Sequence, residues 1–455
     1  MLMMTMVGAG ATGGLFVLCC LYLLREHHLD LLVAVEALHL ERHWKASKGS
    51  ILTAAIIQRS AQVNNVGVKV GEPNSHDVPI LVTGGHDGGS IRYWNYLSDE
   101  HLGGKTEPCE QEIHKGSIFS LMACRSCSRQ NTNYLVSGSF DRSAAIHRVD
   151  IDWPVTFNTI GRLPEHTGWV RRVEAVEERL VETGEDAITL LSIGCNLINL
   201  WTVKEDGEVC RTARLDAGPS PYDPVEESFR RHDILAFATI GLEDNSEAKW
   251  IVAGLVDGTI RVFEAKFEKW MKRRENSPYD ATGSCDCFDS DAQDANSSST
   301  VEDEKPIIAT SGHAGRITNI HCIQGFPDDF VSTSYDGTWI RWRINAEKKS
   351  LSKLVEGSIA KADEQINERR RICSSAIIIT ENDRDNDAIY FGTSSGCLHR
   401  SSLSVGGESE KIYECKDKTS SGKDISITVL TYHRRMDQSV DLIACRSDGE
   451  ILLFR

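Results

Sequence analysis

The sequence lacks an excess of positive charge. Its 455 residues include 50 lysines and arginines against 66 aspartates and glutamates, which gives a formal net charge of −16 at pH 7. A general nucleic-acid binder needs a basic face that displaces phosphate counterions. The composition therefore argues against that class of protein and, among protein partners, favours basic ones.

The sequence also lacks a motif that specifies a cofactor, a metal or a catalytic group. No glycine-rich phosphate loop opens a helix. Residues 392–396 match G-x-S-x-G, but they lie between two predicted strands, whereas a nucleophile elbow needs a strand-to-helix turn. Cys124 and Cys127 have metal-ligand spacing, but zinc needs two more ligands, which Cys285 and Cys287 are wrongly spaced to supply. We expect no enzyme activity, cofactor or metal.

A disulfide framework is not expected either. The 14 cysteines are scattered, and most lie inside apolar runs. A chain this long has no need of covalent staples, and buried free thiols behave as small hydrophobic side chains. The cysteines therefore favour a reducing compartment and a cytoplasmic location.

Residues 1–24 contain no charged side chain and introduce a hydrophobic N-terminal segment, 1–30. As a helix, 24 residues would span about 36 Å, enough for a bilayer. However, four glycines dilute the first half, and neither a basic region nor a clear cleavage site is present. A membrane anchor, a cleaved targeting peptide and a disordered start all remain open. If the segment spans a membrane, Arg25 would keep the bulk of the chain in the cytosol.

Seven segments along the chain share two short β-rich runs around a polar turn. One polar residue in each turn recurs at separations of 53 to 79 residues, which indicates a repeat architecture. These polar residues are Asp87, Asp141, Asn196, Asp257, Asp336, Ser395 and Asp448. A further predicted strand precedes each pair, at 50–57, 117–124, 169–176, 234–241, 316–322, 374–380 and 425–432.

The segment 313–344 carries the clearest pattern and resembles the WD40 family. In that family a His precedes the first strand, an Asp lies in the hairpin turn and a Trp follows six residues later. His313, Asp336 and Trp342 match in full, with Ser332 as the hydroxyl between them. The resemblance implies a buried hydrogen-bond relay that stabilises the repeat. Two further units match in part, through His114, Ser137 and Asp141 and through His166 and Trp201. His147 replaces the Trp in the first of these, and Cys195 replaces the Asp in the second.

Seven hairpins predict an all-β, seven-bladed β-propeller over residues 31–455, with four strands in each blade. The chain ends after the third strand of the last blade, so ring closure requires a fourth strand from the N-terminal side. The candidate is 31–40, although its apolar residues also fit one face of a helix.

One separation, 79 residues, contains an insertion at 268–306. Its basic start, within 267–276, could form a short helix with Phe267, Trp270 and Met271 on one side. The following stretch is rich in Asp and Ser and poor in large apolar residues, so we expect it to be disordered. Ser299 and Thr300 each precede an acidic residue by three positions and are candidate phosphorylation sites.

The resemblance implies a non-catalytic protein-interaction scaffold that binds partners on the face formed by the hairpin turns and the loops entering each blade. Function would then depend on those loops and not on the fold. Exposed aromatic side chains there would be binding hot spots. The candidates are Trp44, His86, Phe140, Trp169, Val256 and Tyr335.

Two other function classes remain as alternatives. A ubiquitin-ligase substrate receptor of this family often carries Trp-Asp-x-Arg after the third strand, but here Trp94, Trp201 and Trp342 are followed by Asn, Thr and Arg. A propeller-based hydrolase would need a cluster of acids and histidines around the central channel.

Overall fold

The computed structural model describes most of the chain from residue 40 onward. The described residues are 40–57, 79–95, 109–125, 133–150, 155–163, 166, 168–176, 187–204, 207–218, 233–241, 249–267, 269–270, 304–359, 371–379, 387–435 and 439–455. Among them, no helix is long and apolar enough to cross a membrane. The N-terminal segment 1–30 and the phosphorylation candidates Ser299 and Thr300 lie outside the described residues.

The described strands form seven antiparallel sheets arranged as the blades of a propeller, which confirms the predicted fold class. The first strand is β1 (Leu40–Lys45). Blade 1 contains β2 (Ile51–Ile57), β3 (Ile80–Gly85), β4 (Ser90–Asn95) and β5 (Cys109–Glu112). Blade 2 contains β6 (Ile118–Arg125), β7 (Asn133–Ser139), β8 (Ala144–Asp150) and β9 (Thr156–Leu163). Blade 3 contains β10 (Val170–Val176), β11 (Ala187–Gly194), β12 (Leu197–Lys204) and β13 (Val209–Asp216).

The remaining four blades repeat this order. Blade 4 contains β14 (Ile234–Ile240), β15 (Trp250–Leu255), β16 (Thr259–Glu264) and β17 (Ile308–Ser311). Blade 5 contains β18 (Ile317–Cys322), β19 (Asp329–Ser334), β20 (Thr338–Asn345) and β21 (Ser350–Ser358). Blade 6 contains β22 (Ile372–Ile378), β23 (Ala388–Thr393), β24 (Cys397–Ser402) and β26 (Glu410–Glu414). The two-residue strand β25 (Gly407–Glu408) precedes β26 but pairs with β21 at the outer edge of blade 5. Blade 7 contains β27 (Ile427–Arg434), β28 (Val440–Arg446), β29 (Glu450–Phe454) and, as its outer strand, β1.

The first strands of the seven blades form the inner ring. Each contacts the first strand of the next blade, and β27 contacts β2 to complete the circle. Every first strand has a register irregularity close behind its first residue, which is a buried Ile or Val in all seven blades. These residues are Ile51, Ile118, Val170, Ile234, Ile317, Ile372 and Ile427.

Glycines on the second strands make room for these side chains. A Cβ built on Gly254 would lie 2.4 Å from Ile317 Cγ2, and one on Gly392 would lie 2.3 Å from Ile427 Cγ2. Gly84 and Gly138 meet the first residue of the next blade in the same way. A side chain at these positions would overlap a close-packed neighbour, so the glycines set the distance between blades.

The ring is closed by an N-terminal strand, as predicted, but the strand lies at a different position. Strand β1 pairs antiparallel with β29, from Leu40 opposite Phe454 to Lys45 opposite Glu450. The predicted strand, 31–40, overlaps β1 only at Leu40, and 31–39 lie outside the described residues. The sequence of β1, LERHWK, is polar because an outer strand of a blade has an open edge toward solvent. The apolar run before it was the misleading signal.

The ends of the predicted insertion, 268–306, belong to the fold. Phe267 and Trp270 are buried in the core between blades 3 and 4, with their rings edge to face at 5.4 Å. At the other end, Glu304 pairs with Leu215 on the outer edge of blade 3, through backbone bonds of 3.0 Å to Arg214 O and from Asp216 N. The parts of the insertion outside the described residues are therefore residue 268 and 271–303.

Candidate partner-binding face

The predicted histidine relay of blade 5 lies beneath the face at which first strands begin and second strands end. Trp342 Nε1 donates to Ser332 Oγ at 2.8 Å, and Ser332 Oγ lies 2.7 Å from His313 Nε2. His313 Nδ1 reaches Thr338 Oγ1 at 2.8 Å, and Thr338 donates in turn to Asp336 Oδ1 at 2.6 Å. His313, Ser332 and Trp342 are all buried. Their hydrogen bonds join the entry loop to the hairpin turn.

Asp336 also accepts backbone bonds from the entry loop. Its Oδ2 receives the N–H groups of Ala314 at 2.8 Å and Gly315 at 3.3 Å. Burial alone would raise the pKa of Asp336, but the neighbouring His313 and Thr338 hold that pKa below its ordinary value. The carboxylate is therefore committed to loop structure at neutral pH.

Blade 2 has the same relay with His147 in place of the tryptophan. His147 Nε2 lies 3.0 Å from Ser137 Oγ, and Ser137 Oγ lies 2.8 Å from His114 Nε2. The far ends are Thr159 Oγ1, 2.9 Å from His147 Nδ1, and Asp141 Oδ2, 3.1 Å from His114 Nδ1. One proton arrangement satisfies all four bonds: Thr159 donates to His147, His147 to Ser137, Ser137 to His114, and His114 to Asp141.

This arrangement requires both imidazoles to be neutral. Burial, together with the charges of His114 and Arg162, lowers the pKa of His147 to about 3. Burial also lowers the pKa of His114. For Asp141, burial acts in the opposite direction, but hydrogen bonds from Ser143 and the Lys115 N–H lower its pKa to about 2. A neutral His pair between an anionic Asp and a Thr is a structural relay.

Blade 3 retains the upper half of the relay. Trp201 Nε1 donates to Ser192 Oγ at 2.7 Å, and Ser192 Oγ lies 2.7 Å from His166 Nε2. Ser192 and Trp201 are 9 residues apart, against 10 for Ser332 and Trp342, so this hairpin turn is one residue shorter. Cys195 occupies the turn with a φ of 55°, and no carboxylate among the described residues reaches His166 Nδ1.

Above the relays, the backbone of the face follows one pattern in six blades. We call the residue that directly follows the second strand, immediately before the turn Asp or its equivalent, the turn residue. We call the residue immediately before the first strand the entry residue. The turn residue donates its N–H to the entry residue's carbonyl at 2.8 to 3.2 Å. These pairs are His86 and Ser50, Phe140 and Ser117, Val256 and Asp233, Tyr335 and Arg316, Ser394 and Arg371, and Ser447 and Ser426.

In three blades the side chain of the turn residue also contacts that of the entry residue of the following blade. His86 Nδ1 lies 3.1 Å from Ser117 Oγ, and the rings of Phe140 and Trp169 lie with centroids 4.6 Å apart and planes tilted by 31°. Arg371 donates to the hydroxyl of Tyr335 at 2.7 Å. A constant backbone therefore presents side chains that differ from blade to blade.

Blades 2 and 3 present an aromatic patch, formed by Phe119, Phe140 and Trp169. The Phe119 ring lies 6.2 Å from Phe140 and 6.1 Å from Trp169, and the Arg171 guanidinium lies 5.0 Å above the Trp169 ring. Phe140 is 45% exposed and Trp169 is 36% exposed. Three aromatic rings in mutual contact at the surface are unusual, because large apolar side chains gain most from burial.

The other sequence candidates occupy different environments. His86 is an exposed turn residue, and Val256 is a half-buried one. Trp44, which was assigned to an entering loop, lies in β1 opposite Ile451 and packs against the core between blades 7 and 1. Its position is corrected because β1 begins and ends later than expected. The sequence candidates did not include four residues that lie at the start of first strands or immediately before them, and not in the turns: Phe119, Arg171, Arg316 and Arg371.

Acidic and imidazole groups on the inner strands are bonded between blades. Glu174 Oε1 accepts from Thr239 N at 3.0 Å and from Thr239 Oγ1 at 2.6 Å, and burial raises the pKa of Glu174. His321 Nε2 lies 2.8 Å from Ser375 Oγ, and burial lowers the pKa of His321 to about 3. Each group therefore links its blade to the next one. In the described part of the chain, no three His, Cys, Asp or Glu side chains are placed to hold a metal ion.

The fold defines the class of this protein, a seven-bladed β-propeller. Comparison of the chain with models of protein families and with curated protein sequences returned no match.

Proposed function

We propose that the protein is a non-catalytic interaction scaffold of the WD40 class, which binds protein partners on the face formed by its turn and entry residues. The observation that carries this proposal is the aromatic patch of Phe119, Phe140 and Trp169. Solvent-exposed aromatic clusters are the usual anchors of protein interfaces, because they supply large apolar area at low entropic cost.

The WD40 class is supported by the relays. A His, a Ser and a Trp or His are hydrogen-bonded in the same order in blades 2, 3 and 5. Their Asp and His groups are engaged in holding loops, which favours a binding role over a catalytic one. Among the described residues, no comparable feature favours the ubiquitin-ligase or the hydrolase alternative.

The partners that we propose are proteins, not nucleic acids, since the net charge of −16 disfavours a phosphate backbone. A cytoplasmic propeller, with membrane attachment through residues 1–24, is the proposed location. Cell fractionation of the full chain and of a chain lacking residues 1–30 tests the attachment: equal membrane recovery of both forms would rule it out.

The binding role is tested by affinity purification with mass spectrometry. The variant Phe140→Ser/Trp169→Ser removes the two exposed rings of the patch and leaves the half-buried Phe119. Its matched control is Leu354→Ser/Val405→Ser, which removes two other exposed apolar side chains, 41% and 83% exposed, outside the face. Partners recovered with the unaltered chain and the control should be lost with the first variant, by about 30-fold or more for a hot-spot pair. Equal recovery with both variants, or no stable partner at all, would count against a scaffold.

A further inference from the structure

The ring of Tyr335 lies against two guanidinium groups from adjacent blades. Arg316 Cζ is 3.9 Å and Arg371 Cζ is 4.5 Å from the ring centroid. Arg316 is the entry residue of blade 5, and Arg371 is the entry residue of blade 6. One aromatic side chain therefore holds two cations in place, through cation–π contacts and the hydrogen bond from Arg371 to its hydroxyl.

Neither guanidinium is neutralised by an acidic side chain within the described residues. Other described arginines pair with carboxylates: Arg341 and Arg343 with Asp329, and Arg446 with Asp448. Arg316 and Arg371 make no such pair, and both are exposed. In a chain with a net charge of −16, two neighbouring cations that contact one ring and have no acidic partner among the described residues form a site for an anion.

The contacts with Tyr335 leave donors of both groups unused within the described residues. A guanidinium carries several N–H donors; Arg371 gives one to the Tyr335 hydroxyl, and the Arg316 side chain donates to no described residue. The remaining donors match the oxygens of a phosphate or carboxylate group and form short, charge-assisted bonds with them. Two guanidiniums carry two positive charges, which match the near-dianionic phosphate monoester better than a single carboxylate.

We propose that Arg316 and Arg371, held by Tyr335, bind the phosphate monoester of a phosphorylated residue in a protein partner. This proposal rests on the proposed function of the face as a partner-binding surface and adds the chemistry of one contact. The aromatic patch lies on blades 2 and 3 and this site lies on blades 5 and 6, so a partner would meet two separate contacts on one face.

The site is tested with a small probe, Nα-acetyl-O-phosphoserine amide, titrated into the full chain and followed by 31P nuclear magnetic resonance line broadening. The unphosphorylated amide and inorganic sulfate, which contain no phosphorus, are added as competitors of the bound probe. We expect saturable binding of the phosphoserine amide, weakened about tenfold or more in Arg316→Gln and in Arg371→Gln, because each loses a charge-assisted fork. Arg371→Lys retains the charge but loses the fork, so its affinity for the probe should lie between that of the unaltered chain and that of Arg371→Gln.

The charge control is Lys348→Gln. Lys348 is an exposed cation in the turn between β20 and β21, at the opposite end of blade 5. Its replacement should leave probe binding unchanged. Tyr335→Leu removes the ring without changing any charge and should weaken binding severalfold, since the guanidiniums lose their support. Thermal unfolding of each variant establishes that the fold is retained.

The proposal is overturned if the probe binds Arg316→Gln and Arg371→Gln as it binds the unaltered chain, or if Lys348→Gln weakens binding equally. It is also overturned if sulfate and the unphosphorylated amide bind as tightly as the phosphoserine amide. Failure of the scaffold proposal is distinguishable: Phe140→Ser/Trp169→Ser would then release no cellular partner, while the arginine variants would still lose the probe.

Discussion

Ser137 Oγ lies 3.0 Å from His147 Nε2 in blade 2. At the equivalent position of blade 5, Ser332 Oγ receives the indole N–H of Trp342 at 2.8 Å. An imidazole thus supplies the donor that an indole supplies elsewhere. The second imidazole nitrogen gains a partner that an indole could not use, the hydroxyl of Thr159 at 2.9 Å. The replacement therefore extends the relay by one hydrogen bond.

Removing that donor should destabilise the protein. His147→Phe retains an aromatic ring but leaves the buried Ser137 hydroxyl without its donor, so we expect the free energy of unfolding to fall by about 1–3 kcal/mol. Trp342→Phe should cause a similar loss in blade 5. Urea denaturation measures both. An unchanged midpoint for His147→Phe would show that the bond to Ser137 contributes nothing to stability.

Stability should decrease in mild acid. Burial lowers the pKa of His147 to about 3 and that of His166 to about 4, against 6.5 for an ordinary histidine. Between pH 6.5 and about 4 the unfolded chain therefore binds protons that the folded protein does not, and folding loses about 1.4 kcal/mol per pH unit for each group. Urea denaturation at pH 7, 6 and 5 measures the slope.

The variant His147→Gln isolates one of these contributions. Its amide does not titrate, so its unfolding free energy should fall from pH 7 to pH 5 by about 2 kcal/mol less than that of the unaltered chain. Parallel pH profiles for the two proteins would contradict a neutral buried His147. Below pH 4 a further loss is expected in both, because Asp141, with a pKa of about 2, is protonated more easily in the unfolded chain.

The glycines between blades should tolerate no side chain. Gly392→Ala places a Cβ 2.3 Å from Ile427 Cγ2, and Gly254→Ala places one 2.4 Å from Ile317 Cγ2. We expect each to lower the unfolding free energy by about 1–3 kcal/mol through overpacking. Gly84→Ala, with 2.9 Å to Ile118 Cγ2, should have a smaller effect. Equal effects at all three positions would show that backbone entropy, not the distance between blades, determines the result.

The long insertion should be dispensable for folding, but the buried Trp270 at its start should not. Replacing residues 273–301 with a short Gly-Ser linker retains Trp270 and Glu304, so we expect the unfolding free energy to change by less than about 0.5 kcal/mol. Trp270→Ala removes a fully buried ring and should cost about 3–5 kcal/mol. Thermal and urea denaturation compare the two. A large loss on replacing 273–301 would place part of that segment in the core.

The fold was predictable because blade cores carry local signals. Alternating runs around polar turns marked the second and third strands of all seven blades, and a full relay such as that of His313 marked the most regular one. The outer strand β1 was misplaced because an outer strand needs few apolar residues. In the sequence, the short turn at Cys195 shows only in the spacing of its neighbours. Ser192 and Trp201 are one position closer together than Ser332 and Trp342.

The face was only partly predictable. Phe140, Trp169 and Tyr335 were found because aromatic residues beside a turn are conspicuous. Arg316 and Arg371 were missed, because stacking on Tyr335 brings together residues 55 positions apart in the chain. The available signal was the position immediately before each first strand, which holds Ser50, Ser117, Trp169, Asp233, Arg316, Arg371 and Ser426.

The pairing of β1 with β29 determines when the ring can close during synthesis on the ribosome. Glu41 and Arg455, which form an ion pair across this junction, are 414 residues apart. Strand β1 is synthesised before all seven first strands and has no partner until β29 emerges. Closing so long a loop is entropically costly and late, so the nascent protein carries an open ring whose free edges need protection until β29 is available.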